Sequence, residues 1–242
     1  MKKIAFYVEG QTELVFINKL LIEIAGQKNI QIKLQQFQGN GRPPINIYPR
    51  TSAQSQNPKH FAYVFDCKGE GGVATRILQD YSNLMAQGYC EVIGLRDLFP
   101  LTLSELSRLQ QGLNNGIMRN GRQITLPLPT NSSITVAVRE VEDWFLAECN
   151  HYACIDANLT HAFIVANAGF DPCIDDLTIR NGSAANDLKT IYQLVGKSWT
   201  KTFEQVDRTV ECLDYANLYL RIRYKFAALD ELMTKIDAFL TY

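Results

Sequence analysis

The chain has 242 residues, 46% hydrophobic and 20% charged, which is enough apolar material for a large buried core and too much for a disordered chain. A formal net charge of -1 offers no global field for nucleic acid or an anionic membrane, so any polyanion must be held by a local basic patch or through a metal ion. The opening MKKIAFYVEG is interrupted too early by a carboxylate for a secretory leader, and no segment approaches the roughly 20 apolar residues that span a bilayer, so a soluble cytoplasmic protein is expected.

In chain order, KIAFYV reads as a buried strand, being short, apolar and rich in aromatic and branched residues. QTELVFINKLLIEIAG follows as a helix, with Leu14, Ile17, Leu20, Leu21 and Ile24 on one stripe and Gly26 as its C-cap. Residues 38–60 are rich in Gly, Pro, Ser and Asn, which predicts a loop with at most a short strand. FAYVFD and CEVIGLRD are apolar runs of strand length, each ending in an aspartate, and GEGGVATRILQDYSNLMAQG between them reads as a helix. An insertion near 112–132 suggests a hairpin around Asn120-Gly121. SITVAV is a further strand running straight into a helix that begins near Arg139, and after about residue 183 the pattern is helical to the end. Strands alternating with helices predict an α/β fold, a mainly parallel sheet with helices on both faces. An α/β domain over 1–182 then carries a helical segment, 183–242, packed on it.

Six cysteines, at 67, 90, 149, 154, 173 and 212, lie scattered without a C-x-x-C pair, and the three histidines do not cluster. Reduced thiols packed as small hydrophobes are expected, with neither a disulfide framework nor a zinc site.

Ligands of a parallel sheet bind beyond the C-terminal ends of its strands, and Glu9, Asp66 and Asp97 sit at or just past three such ends. Carboxylates gathered there repel unless neutralised, and a hard divalent cation, Mg²⁺ or Mn²⁺, takes oxygen ligands of this kind. Glu13 falls on the helical arc of Ile17, Leu20 and Ile24, so it faces the sheet near Glu9, although a helix-start charge explains it equally well. Glu142 has two readings. It forms an exposed ion pair with Arg139 opposite the Val141, Trp144 and Phe145 arc, or it completes a metal shell while Arg139 contacts a phosphate. Glu140 is the less favoured ligand, and Trp144 and Phe145 are expected in the core. The DCKGEGG turn either cradles a phosphate or simply turns tightly. Basic residues on predicted loops, Arg42, Arg50, Lys59, Lys68, Arg119 and Arg122, include candidates for a local rim. The candidate phosphate or nucleic-acid contacts are Gly10, Arg42, Lys68, Arg96, Arg139 and Lys201. Lys197 and Lys201 flank Trp199, and one of them is placed to steady charge on a phosphoryl oxygen.

FYVEGQTE, VIGLRDLF and VREVEDWFLAE together resemble the TOPRIM (topoisomerase-primase) superfamily, and more closely its small members found beside ATPases in bacterial defence loci. GNGRPP and GKSWTKT are similar to that group as well. The resemblance implies a Rossmann-like sheet and Mg²⁺-dependent chemistry on nucleic-acid phosphodiester bonds, in phage defence with a partner ATPase. It assigns Glu9 as the glutamate after the first strand and Asp97 as the first aspartate of a D-x-D pair. Here Phe99 occupies the place of the second aspartate, so Asp66 or Glu142 would complete the ligand set. The catalytic set is then Glu9, Glu13, Asp97 and Glu142, with Glu9 or Glu13 as general acid-base, and the metal set is Glu9, Asp66, Asp97 and Glu142. Two other readings stand beside this one: a degenerate module that binds nucleic acid or a partner protein without cutting, and an unrelated doubly wound protein that binds a small phosphorylated ligand.

Overall fold

The structure is a computed structural model describing residues 1–39, 41–119 and 122–241. Its strands are β1 (Lys2–Val8), β2 (Ile30–Gln36), β3 (Ile45–Asn46), β4 (His60–Asp66), β5 (Tyr89–Asp97), β6 (Ile117–Arg119), β7 (Arg122–Thr125) and β8 (Ser132–Ala137). The α-helices are α1 (Gln11–Ala25), α2 (Glu70–Ala86), α3 (Leu106–Asn115), α4 (Glu142–Ala147), α5 (His151–Ile155), α6 (His161–Ala168), α7 (Ala184–Gln193), α8 (Phe203–Cys212), α9 (Tyr215–Leu220) and α10 (Ala227–Thr241). The turn expected at Asn120-Gly121 and the Arg119 side chain lie outside the described residues; β6 and β7 on either side pair antiparallel.

Six strands form the main sheet in the order β3-β2-β4-β1-β5-β8, parallel throughout except for the short edge strand β3. The protein is therefore α/β with a mostly parallel sheet and a helical C-terminal part. β1 lies at the centre because both its faces are apolar: Ile4 to Val8 are completely buried. Ile4, Phe6 and Val8 face the large core shared with α1 and the C-terminal helices, whereas Ala5 and Tyr7 face the smaller core under α2. Leu14, Ile17, Leu20 and Leu21 fasten α1 to the sheet, each contributing about 1.5–3 kcal/mol of apolar burial. Trp144 and Phe145 pack on Phe16 in that core, as expected.

Two expectations are corrected. The helix after β8 does not run on from the strand near Arg139; α4 starts at Glu142, because Arg139 takes the left-handed conformation (φ 57°) and interrupts the chain direction. The cysteines are not all thiols: Cys149–Cys173 and Cys154–Cys212 are disulfides, leaving Cys67 and Cys90 free. These pairs are 24 and 58 residues apart, so helix packing brings them together without any local spacing signal. Among the described residues no helix is long and apolar enough to cross a membrane.

Candidate metal centre

β1 lies between β4 and β5, with α1 leaving on one face and α2 crossing on the other, so the strand ends open into a crevice there. Glu9, Asp66 and Asp97 line that crevice together with Gly10, Glu13, Lys68, Glu140 and Lys201, around a cavity of about 420 Å³. The main chain sets each position. Glu9 donates its N–H to Leu95 O across to β5, and its carboxylate accepts the Asp97 N–H at 3.1 Å. Gly69 N–H closes on Glu9 O, which draws the start of α2 against the end of β1. Gly72 must lack a side chain there, since a Cβ would meet Cys67 O at 2.9 Å. That is the tight-turn reading of DCKGEGG.

Glu13 stands at the helix start and also faces the crevice. Its Oε2 accepts the Gly10 N–H at 3.0 Å at the start of α1, and its buried carboxyl lines the crevice. Burial and the charge of Glu142 push its pKa up to about 8, against the opposing pull of Lys201. Asp97 is buried and raised well above the ordinary carboxylate range, first by desolvation and then by Glu13 and Glu142. It also accepts the Val141 N–H at 3.0 Å, tying β5 to the turn that presents α4.

That turn brings two further carboxylates beside Asp97. Ligand oxygens of Asp97, Glu140 and Glu142 all lie within 4.8 Å of one another. Glu142 is completely buried; burial raises its pKa, opposed by Lys201 at 2.9 Å. Neither of its oxygens has a well-directed hydrogen bond from a described residue. Burial alone would raise Glu140 too, but Lys201 at 3.1 Å and hydrogen bonds from Ser183 and Ala185 outweigh it and hold the carboxyl low. Lys201 is pushed firmly toward its charged form by Glu142 and Glu140 despite burial. Gln11 grips the Lys201 carbonyl at 3.2 Å, fixing this C-terminal segment against α1.

A hard divalent cation fits this set. Oxygens on Mg²⁺ stand about 3.0 Å apart when adjacent and about 4.2 Å when opposite, so the three carboxylates would draw in by up to about 2 Å to share an ion, which would join Lys201 in neutralising Glu140 and Glu142.

Asp66 shares the cavity but not this cluster. Its oxygens accept from Gln36 at 2.6 Å and the Lys68 N–H at 2.7 Å, and its pKa is raised by burial against those bonds. Of the basic candidates, Lys68 and Lys201 line the cavity and Arg139 does not contact it. Arg139 is buried and turned to Asp187, Asp143 and the carbonyls of Leu177 and Gly182, because its left-handed backbone points the side chain away from the strand ends. The exposed Arg139–Glu142 pair is therefore also absent; Glu142 pairs with Lys201. Arg96 faces the opposite side, beside Thr75, Leu78 and Leu109, with its Nε donating to Asp97 O at 3.3 Å. Arg42 sits on the exposed loop after β2, Arg50 pairs with Asp207, and Lys197 does not line the cavity.

No family model matches the chain. Nor does any curated protein or solved structure.

Glu140 and Gln36 are the residues that sequence reasoning undervalued. Glu140 was visible in R-E-x-E, but its direction depends on the left-handed turn at Arg139.

Proposed function

We propose that this protein is a Mg²⁺- or Mn²⁺-dependent nuclease, or related phosphodiester-transfer enzyme, of TOPRIM type. The observation that carries the reading is the convergence of Asp97, Glu140 and Glu142 oxygens within 4.8 Å, with Glu9 and Glu13 in the cavity that Asp97 and Glu140 line. Asp97, Glu140 and Glu142 would hold the ion, with Glu9 at its edge through the Asp97 N–H. Bound there, it supplies Lewis acidity toward water and the phosphoryl oxygens.

The chain's own groups supply the rest. Glu13, with a pKa of about 8, exchanges a proton near neutral pH and serves as general acid-base. Lys201 stays cationic and offsets charge that develops on a phosphoryl oxygen. Lys68 at the rim gives the backbone phosphate an electrostatic contact. The reading carries with it a cytoplasmic location, a partner ATPase and a role in phage defence, as the resemblance of FYVEGQTE and VREVEDWFLAE implies.

One observation favours a second reading. Phe99, where the resemblance implies a second aspartate, is 38% exposed at the same cavity, which suits a module that binds nucleic acid or a partner without cutting. The test is to incubate the protein with plasmid, single-stranded DNA and RNA in Mg²⁺ or Mn²⁺. Cleavage by the wild type that falls at least about 100-fold in Glu142→Gln and Glu9→Gln is expected. Retention of nucleic acid without cleavage supports the binding module, and cleavage unchanged in both variants removes the catalytic assignment.

A further inference from the structure

A second group of ligand-type residues lies away from the acidic cavity, where α6 begins. His161 is the first residue of α6, with Thr160 as its N-cap, and its side chain is 52% exposed. Its Nε2 lies 2.9 and 3.0 Å from the two oxygens of Asp171. Ligand atoms of His161, Asp171 and Cys173 all lie within 4.8 Å of one another. Cys173 is bonded to Cys149, so a second sulfur lies next to this group, though outside it. A cysteine, a histidine and an aspartate thus meet at the start of α6 and the turn that follows it, with Cys149, just past α4, joined to them through Cys173.

We infer that Cys149, Cys173, His161 and Asp171 form a tetrahedral Zn²⁺ site when the Cys149–Cys173 bond is reduced, so that one staple is a disulfide in oxidising conditions and a zinc site in reducing ones. Disulfide sulfurs carry no charge and are poor zinc ligands, whereas thiolates are among the strongest. Reduction by a dithiol moves two electrons and two protons onto the two sulfurs, leaving two thiols and the reagent's own disulfide. Zn²⁺ then takes both sulfurs as thiolates and releases the two thiol protons to solvent.

The geometry requires the Cys149 sulfur to swing toward the other three ligands. With Zn–S near 2.3 Å and Zn–N or Zn–O near 2.0 Å, ligand atoms on a tetrahedral ion stand about 3.3–3.8 Å apart. The two sulfurs must separate to that distance, and the Cys149 and Cys173 Cα atoms, 5.9 Å apart, allow it by side-chain rotation. His161 and Asp171 need to part by roughly 0.4 Å as the ion replaces the shared proton. The carboxylate is already oriented by the Cys173 N–H on its Oδ1 at 2.9 Å, and the turn is held from the other side by Lys225 donating to Cys173 O at 2.6 Å. Outer hydrogen bonds of this kind fix ligand orientation at zinc sites. Of the Cys154–Cys212 pair neither sulfur belongs to a group of nearby ligand atoms found among the described residues, whereas Cys173 does, so reduction there yields free thiols.

The site is tested on the full chain, reduced with dithiothreitol or left oxidised, exchanged into buffer with Zn²⁺ and freed of loose ion. About one Zn²⁺ per chain is expected in the reduced protein beyond that held by the oxidised one. Co²⁺ in place of Zn²⁺ should give a thiolate-to-cobalt charge-transfer band, a signature the acidic cavity cannot produce. The band should persist in Cys154→Ser with Cys212→Ser and vanish in Cys149→Ser with Cys173→Ser, and His161→Ala should lower the affinity at least about tenfold. Reduced wild-type protein that takes up no Zn²⁺ beyond the oxidised form, a band absent from it, or a band that survives loss of Cys149 and Cys173 overturns the inference. The wild-type spectrum needs no variant to fold.

Discussion

Replacing Glu13 by Gln keeps the shape of the side chain and an oxygen for the Gly10 N–H, while removing a carboxyl that the fold holds protonated. Its pKa rises from 4.5 to about 8 in the folded protein, through burial first and the Glu142 charge next. A raised carboxyl pKa means that the folded state binds the proton more tightly than the unfolded one. Its contribution is therefore fully present below about pH 4.5 and is lost as pH rises through about 8. At neutral pH, some 2.5 units above the unfolded value, the wild type forgoes about 3 kcal/mol relative to its acid limit at 1.36 kcal/mol per unit. Glu13→Gln carries no such dependence. It should be more stable than the wild type by up to about 3 kcal/mol near pH 7, a melting-temperature gain of roughly 6–12 °C for a chain of this size, with the gain vanishing near pH 4.5. Thermal unfolding of both proteins across that range, with chelator present, measures it. A difference that is flat with pH, or a variant less stable at neutral pH, would refute the claim that Glu13 is held in a crowd of carboxylates.

Three further outcomes follow from the same geometry. Mg²⁺ or Mn²⁺ at a hundred times its dissociation constant should stabilise the wild type by about 2.7 kcal/mol and Glu142→Gln far less, since the variant loses one of the three converging carboxylates; equal melting shifts would place the ion elsewhere. Arg139→Ala should cost about 3–5 kcal/mol in denaturant unfolding by removing the buried guanidinium that joins Asp143 and Asp187 to the carbonyls of Leu177 and Gly182. A loss under about 1 kcal/mol, with weakened nucleic-acid binding, would instead restore Arg139 as a phosphate contact. His151, completely buried, has its pKa lowered from 6.5 to about 4 by desolvation, against a raising hydrogen bond to the Glu148 carbonyl. Because that shift is downward, its contribution is full above about 6.5 and disappears as pH falls through about 4, an acid-side loss of about 3 kcal/mol. His151→Gln should flatten that limb, and an unchanged acid limb would show that His151 titrates normally.

The strands that position the crevice were legible because β1, β4, β5 and β8 are continuous apolar runs, the signature of strands covered on both faces. β2 is not: Gln31, Lys33 and Gln35 alternate with Ile30, Ile32 and Leu34, so the apolar part of its buried face amounts to three residues at period two, with Gln36 as a polar fourth. Carboxylates at strand ends could be placed from the parallel-sheet rule alone, which is why Glu9, Asp66 and Asp97 share one cavity. The α4 end of the site was less legible. Helical periodicity assumes an unbroken turn, and the left-handed conformation of Arg139 rotates everything after it. Glu140 and Glu142 consequently face inward, and Arg139 is sent to Asp187. The two cysteine pairings were invisible for a related reason, since they depend on how α4 to α8 pack and not on spacing along the chain.

Gln11 and Lys201 stand 190 residues apart and touch at the mouth of the cavity. A ribosome releases the acidic side chains that follow β1, end β5 and lead into α4 well before the lysine that bridges Glu140 and Glu142. Until the segment leading into α8 has emerged and docked, the nascent protein carries its cluster of negative groups without that internal counterweight. Completion of the pocket is thereby deferred until that segment has been made.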